Sequence, residues 1–355
     1  MTDSTSSAVS EPAASSAPAA PQLTWKDFKS DQEVRWCPGC GDYSILNVTQ
    51  KVMAKIGVPP HRVVVVSGIG CSSRFPYYVK TYGFHSIHGR APAIATGVKC
   101  ANPDLMVWVV TGDGDGLSIG TNHLIHAIRR NVDINILLFN NRIYGLTKGQ
   151  YSPTSELGKR TKSSPDGTIE RPIWPVRMAL AAQATFVART IYSDPVHMAA
   201  TLEAAARHKG TAFVEILQNC NVFNDGAYEQ VADRKKAIET RIHLEHGKPI
   251  RFGKDGCKGI IVKDMEPVIV DLPPGEEPPP GSTLIHNTQA VSPALAELLA
   301  ALQPPEFPMA FGVFRDVQRP VYDQELLGQV QRAVEKRGRG RLEDLLTSGT
   351  TWEVR

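Results

Sequence analysis

LMVWVVTGDGDG, residues 105–116, and INILLFNN, residues 134–141, are the stretches on which the reading of this chain turns. Each begins as a run of Val, Ile, Leu and Trp or Phe with little polar alternation, and each ends abruptly in small polar residues. Strands that read this way are buried on both faces, which is the mark of a parallel sheet covered by crossover helices. RVVVVS (62–67) and AFVEIL (212–217) have the same character. Helical candidates fall between the strands, at Tyr43–Ile56, Ala91–Lys99, Ser118–Arg130, Pro175–Ala184 and Pro195–His208. Strand and helix in this rhythm predict an α/β domain, a doubly wound, mostly parallel sheet over residues 23–225.

The flanks read differently. Residues 1–22 are nearly all Ala, Ser, Pro and Thr, too poor in apolar groups to offset their ordering entropy, and are expected to be a mobile tail. A transit peptide is the alternative, but the segment has no Arg and carries Asp3 and Glu11. Thr154–Trp174 is polar and reads as a long surface loop, a kind that is usually functional or disordered. Beyond Asn224 prolines accumulate, as in LPPGEEPPPG (272–281), so residues 226–355 are expected to be an extension wrapping the domain or contacting a partner.

Composition bounds the function. With 42% hydrophobic and 21% charged residues in 355, most of the chain can bury a core. A formal charge of +3 is small for this size and argues against a dedicated nucleic-acid binder. No apolar run approaches the ~20 residues a bilayer needs, and none follows Met1, so a cytoplasmic protein without membrane attachment is expected. Six cysteines are too few for a disulfide framework and need another explanation.

Two features carry chemistry. In Thr111–Gly116 (TGDGDG) the glycines let backbone approach a phosphate, and the helix that follows offers N–H groups. An Asp at that place repels phosphate unless a hard cation intervenes, and Mg²⁺ shares oxygen ligands between protein and phosphates in this way. Asn140-Asn141 ends the next strand, and a right-handed crossover would bring it to the same sheet edge. Asp113, the amide oxygen of Asn141 and a backbone carbonyl just beyond it are the candidate ligands. Rossmann and Walker glycine patterns are absent.

The second feature is WCPGCG (36–41). Cys37 and Cys40 form a C-x-x-C pair, while Cys71 and Cys220 each follow a strand at the edge where Asp113 lies. Four thiolates suit Zn²⁺ or a 4Fe–4S cluster equally well by count. Cys100 and Cys257 read as ordinary structural cysteines.

GDG and NN separated by one β-α-β unit resemble the thiamine diphosphate fingerprint, in which Asp113, Asn141 and the carbonyl of Ile143 would bind Mg²⁺. WCPGCG, SGIGCS, HGR, GDGD, NN and YGLTKGQ-x-SPT occur in that order from Trp36 to Thr154. This series resembles the β subunit of 2-oxoacid:ferredoxin oxidoreductases over residues 30–225. The resemblance implies a thiamine diphosphate-binding type of fold. It also implies one 4Fe–4S cluster on Cys37, Cys40, Cys71 and Cys220, with cofactor contacts from Ile69, Gly70, Cys71, Ser72, His88, Gly114, Asp115, Gly145 and Leu146.

The activity implied is oxidative decarboxylation of a 2-oxoacid with coenzyme A, with 2-oxoglutarate expected as substrate and succinyl-CoA, CO₂ and reduced ferredoxin as products. Pyruvate or a broad range of 2-oxoacids is the alternative within the family. A non-redox thiamine decarboxylase and a zinc-stabilised, non-catalytic nucleotide-binding module are the rivals outside it. Lys148, just past Asn141, offers a cation for a substrate carboxylate, whereas Arg90 has no decided role. No C-x₂-C-x₂-C-x₃-C-P run is present, so a separate ferredoxin is expected to carry electrons away. No obvious Glu is placed to activate the thiamine aminopyrimidine. Related enzymes supply that group from an α subunit, so a dimer of heterodimers, inactive as the β chain alone, is implied.

Overall fold

The computed structural model describes residues 22–354, so the expected tail, but for Gln22, lies outside the described residues. The strands in chain order are β1 (Val63–Ser67), β2 (Tyr82–His85), β3 (Met106–Gly112), β4 (Ile134–Asn140), β5 (Phe186–Ile191), β6 (Ala212–Leu217), β7 (Arg241–Leu244), β8 (Arg251–Phe252), β9 (Lys258–Lys263), β10 (Glu266–Asp271) and β11 (Met309–Asp316). Eight of them make one sheet in the order β2-β1-β3-β4-β6-β5-β11-β7, and β10-β9-β8 form a small antiparallel sheet. From β2 through β5 every neighbouring pair is parallel. β11 runs antiparallel to β5 and parallel to β7. The architecture is the mostly parallel α/β sheet expected from the doubly apolar runs.

Side-chain alternation divides the core between the two faces of the sheet. Val64, Val66, Val107, Val109 and Ile136 pack on one face with Ala95, Leu124, Ile128, Ala179 and Leu299 from the covering helices. Val63, Val65, Trp108 and Val110 face the other way, against Ile45, Val52, Met198 and Leu202. Helices Asp42–Ile56 and Pro195–Arg207 therefore cover the second face, and neither face of the central strands meets water.

Several elements differ from the sequence reading. The helix expected over 118–130 is a short helical turn, Asp113–Leu117, followed by a helix over Thr121–Arg130. The break lies at Ser118–Gly120, where a Cβ on Gly120 would stand 2.9 Å from the Cα of Gly89 and 2.5 Å from the Asp115 carbonyl oxygen. β5 (FVARTI) went unrecognised because Arg189 interrupts its apolar run. Its register partner on β6 is Glu215, and their charges pair at 2.7 Å with side chains 3% and 2% exposed. Residues 154–174 form an irregular loop. Of residues 226–355, β7 and β11 enter the central sheet, whereas helix Tyr322–Arg337 leaves Leu327, Val330 and Val334 exposed.

The seam between helix Pro195–Arg207 and the late strands is acid-sensitive. His197 lies 5.5 Å from the ring of His243 and 6.5 Å from Phe311, with Nδ1 2.9 Å from Thr190 Oγ1. Burial, reinforced by His243, lowers its pKa from 6.5 to about 4. Between those values the unfolded chain takes up a proton that the native state refuses, so native stability falls as the pH drops through that window. His197→Asn is expected to flatten this acid limb while lowering stability at neutral pH. Thermal midpoints measured across pH 6.5 to 4 check this.

Candidate functional site

Parallel strands end together, and here the ends carry the chemistry. β3 pairs with β4 so that Gly112 stands beside Phe139, which sets Asp113 next to Asn140 at the carboxyl edge of the sheet. Asp113 is 2% exposed. Burial raises its pKa, and the hydroxyls of Ser152 and Thr154 offset part of that rise. Both hydroxyls donate to Oδ2, at 2.5 and 2.6 Å. Asn141 Oδ1 accepts from the Ile143 amide at 3.1 Å, closing a tight turn, while Asn224 Nδ2 donates to the Asn141 carbonyl at 2.9 Å. Asp113, Asn141 and Ile143 all line one pocket. The donor set is all oxygen, around a carboxylate that burial makes costly to ionise; a hard divalent cation fits it.

The GDGD turn is held open by what surrounds it. Asp115 Oδ1 accepts from the Gly89 amide at 2.7 Å and Oδ2 from Thr111 Oγ1 at 2.8 Å, fastening the His88 loop to the end of β3. Gly68 must be glycine here, since a Cβ would fall 1.9 Å from Asp115 Oδ2. Gly114 lies under the Tyr144 ring, which a Cβ would meet at 2.2 Å, and the Tyr144 hydroxyl donates to the Gly114 carbonyl at 3.0 Å.

The cysteines form a second cavity. The C-x-x-C turn closes with the Cys40 amide donating to the Cys37 carbonyl at 3.0 Å, with Gly39 at φ 82°. Trp36 Nε1 donates to the Cys71 carbonyl at 2.7 Å, Gln218 Nε2 to Cys40 Sγ at 3.1 Å, and Asn221 Nδ2 to the Pro38 carbonyl at 2.7 Å. These bonds dock the turn onto the loops that carry Cys71 and Cys220. Cys37, Cys40, Cys71 and Cys220 all line this cavity. A Cβ on Gly145 would lie 3.6 Å from both Cys71 Sγ and Cys220 Sγ. Burial pushes the Cys40 thiol far up and the Cys71 thiol to about 12, with the Asp42 carboxylate adding to both. Burial also raises Asp42 to about 7. Thiols in this state become good ligands only when a metal displaces their protons. Among the described residues no group of three or more His, Cys, Asp or Glu side chains is set to hold a single ion.

The two cavities share Cys71, Asn141, Gly145 and Leu146 as a common wall. Every cofactor contact expected from the sequence lines the first: Ile69, Gly70, Cys71, Ser72, His88, Gly114, Asp115, Gly145 and Leu146. The Asp115 carboxylate, however, is already engaged by Gly89 and Thr111. Lys148 lines the thiol cavity with Arg35 and Arg74 rather than the first pocket. Sequence reasoning missed Asp42, Tyr144, Ser152, Thr154 and Asn224. Asp42 directly follows the CPGCG run, and Ser152 and Thr154 sit inside the quoted SPT, so their positions were visible though their contacts were not.

The family model described as "Thiamine pyrophosphate enzyme, C-terminal TPP binding domain" matches residues 60–216. The chain is 52% identical over 340 residues to the 2-oxoglutarate oxidoreductase subunit KorB of Mycobacterium tuberculosis, covering 93% of this chain and 88% of that one. It is 41% identical to a 2-oxoglutarate synthase subunit KorB of Methanocaldococcus jannaschii, over 60% of this chain and 80% of the relative. Among solved structures, a 2-oxoglutarate:ferredoxin oxidoreductase from Magnetococcus marinus, with 2-oxoglutarate, coenzyme A and succinyl-CoA bound, superposes with a TM-score of 0.73 at 33% identity. That match covers 92% of this chain and 97% of the other.

Asp113→Ala is expected to abolish Mg²⁺-dependent binding of thiamine diphosphate while leaving the thiol cavity intact. Calorimetric titration with the cofactor checks the first part, and thiol accessibility to a maleimide checks the second.

Proposed function

The chain belongs to the β subunits of the 2-oxoacid:ferredoxin oxidoreductases, and from that premise we propose that it is the thiamine diphosphate-bearing half of an enzyme that oxidatively decarboxylates 2-oxoglutarate to succinyl-CoA. The observation that carries the reading is the common wall: a pocket fitted to a diphosphate and its cation abuts a cavity of four thiols, with Cys71 and Gly145 in both linings. When bound, thiamine diphosphate supplies an electron sink for loss of CO₂, and a 4Fe–4S cluster supplies one-electron transfer to ferredoxin. Coenzyme A is the acyl acceptor in this reading.

The residues of this chain have separable tasks. Asp113, Asn141 and the Ile143 carbonyl hold Mg²⁺, and the Gly114–Asp115 backbone lies where the diphosphate binds. Tyr144 caps the turn, and His88 and Leu146 stand at the pocket. Cys37, Cys40, Cys71 and Cys220 hold the cluster. Lys148 follows Leu146 and Thr147, which line the first pocket, and itself lines the neighbouring cavity. That position suits the distal carboxylate of a diacid better than the carboxylate on the reacting carbon.

An α subunit is the partner in this reading. Tyr82 and Phe84 on edge strand β2, with Tyr77, Ile87 and Ile119 nearby in sequence to the pocket residues, are 47–67% exposed, an apolar rim that another chain of the assembly would cover. No helix among the described residues is long and apolar enough to cross a membrane. Six unpaired cysteines fit a reducing, cytoplasmic setting.

Cys37→Ala or Cys40→Ala is expected to abolish cluster incorporation, whereas Cys257→Ala keeps it. Iron and acid-labile sulfide in anaerobically purified enzyme decide this, and full metal content in both of the first two variants rejects the ligand assignment. For the assembled α/β enzyme, kcat/KM is expected to favour 2-oxoglutarate over pyruvate. Lys148→Ala is expected to cost ~1.5–3 kcal/mol with 2-oxoglutarate and far less with pyruvate. Equal losses would remove Lys148 as the source of the preference, and a parent preference for pyruvate would reject the substrate while keeping the reaction class.

A further inference from the structure

The Ser152-Pro153-Thr154-Ser155 run reaches the site only through other residues, and its three hydroxyl-bearing residues are only 2–3% exposed. Hydroxyls on an irregular loop normally face water, and burying them is costly unless each finds a partner. Here the partners are the two halves of the cation site. Ser152 and Thr154 donate to Oδ2 of Asp113, after β3. Ser155 Oγ donates to the Arg142 carbonyl at 2.6 Å, after β4, and accepts the Ser152 amide at 2.8 Å. Thr154 Oγ1 also lies 2.9 Å from Asn140 Oδ1. A hydroxyl has one proton, and the ionised carboxylate is the stronger acceptor, so the proton goes to Asp113 when that group is charged.

Asn140 is itself held from within the sheet. Asn140 Nδ2 donates to Glu215 Oε1 at 2.7 Å, and Glu215 Oε2 accepts from Arg189 Nε at 2.7 Å. Asn140, Glu215 and Arg189 are each no more than 3% exposed. Asn140 is thereby fixed against a buried ion pair that spans β6 and β5, the two strands beyond β4.

We propose that the Ser-Pro-Thr-Ser run is a staple that fixes the orientation of Asp113 and its separation from the Asn140–Ile143 turn, and so sets the affinity for the divalent cation. Ser152 and Thr154 are positioning residues, since they act through Asp113. The inference rests on Asp113 and Asn141 being the Mg²⁺ ligands. Partners that orient a metal ligand are commonly worth ~10–100-fold in metal affinity.

The experiment uses the reconstituted α/β enzyme and measures the Mg²⁺ concentration giving half-maximal thiamine diphosphate binding, read by quenching of intrinsic fluorescence. Thr154→Val keeps the shape and deletes the hydroxyl. It is expected to raise that concentration ~10-fold or more, with binding recovered at high Mg²⁺ and iron content unchanged. Thr154→Ser is expected to restore the parent value, which a role in packing alone would not do. Ser152→Ala, a smaller deletion, is expected to shift the Mg²⁺ dependence in the same direction and covers the case of a poorly folding Thr154→Val. Parent Mg²⁺ dependence in Thr154→Val and Ser152→Ala, alongside lost binding in Asp113→Asn, overturns the staple alone. Parent dependence in Asp113→Asn as well overturns the cation site on which it rests. Weakening that added Mg²⁺ does not relieve also overturns the staple.

Discussion

The register of β3 against β4 is the constraint from which the site follows. Because Gly112 pairs with Phe139, both strands deliver their last residues to the same edge at the same height. A slip of one residue would turn Asp113 or Asn140 toward the opposite face of its strand. The register is held in turn by the double burial of the strands: Val107, Val109 and Ile136 belong to one core, and Trp108, Val110 and Leu137 to the other. A shift would exchange the residues presented to two packed layers at once. The geometry of a small polar turn is therefore guarded by large apolar side chains that never touch it.

The middle of this sheet also contains charge, which is unusual for strands covered on both faces. Arg189 and Glu215 pair across β5 and β6, and the second oxygen of Glu215 accepts from Asn140 at the carboxyl edge of the sheet. Removing one member of a buried pair strands the other and typically costs ~3–5 kcal/mol, whereas an apolar pair of similar volume often does as well or better. Stability alone does not call for this pair. Its hydrogen bond to Asn140 supplies a reason for keeping it.

The sequence disclosed the parts of the molecule that obey simple periodicities and hid those that depend on compensation. β1, β3, β4 and β6 were legible because Val63–Val66 and Ile136–Phe139 leave no alternation to misread. Arg189 hid β5, since the charge that breaks the run is cancelled by a residue on another strand. β2 was hidden for the opposite reason: Tyr82–His85 is an exposed edge with no burial signature. The candidate site residues named from the sequence, Asp113, Asn141 and the four thiols, are those whose chemistry is visible in the residue type, and they line the two cavities. Ser152, Thr154 and Asn224 were not named, because hydroxyls and amides in a loop look the same whether they meet water or a carboxylate.

The aromatic rim on β2 has a consequence for how such an enzyme can be made. Four successive residues of an edge strand, Tyr82 to His85, are exposed, and an uncovered edge offers its backbone to any other strand that passes. While its partner is missing, a newly synthesised copy carries this edge into a crowded solution beside other copies of itself. Self-association then competes with assembly, and it grows faster with concentration than the intended pairing when one chain is in excess. In the proposed α/β assembly, balanced supply of the two chains shortens the time this edge stays uncovered.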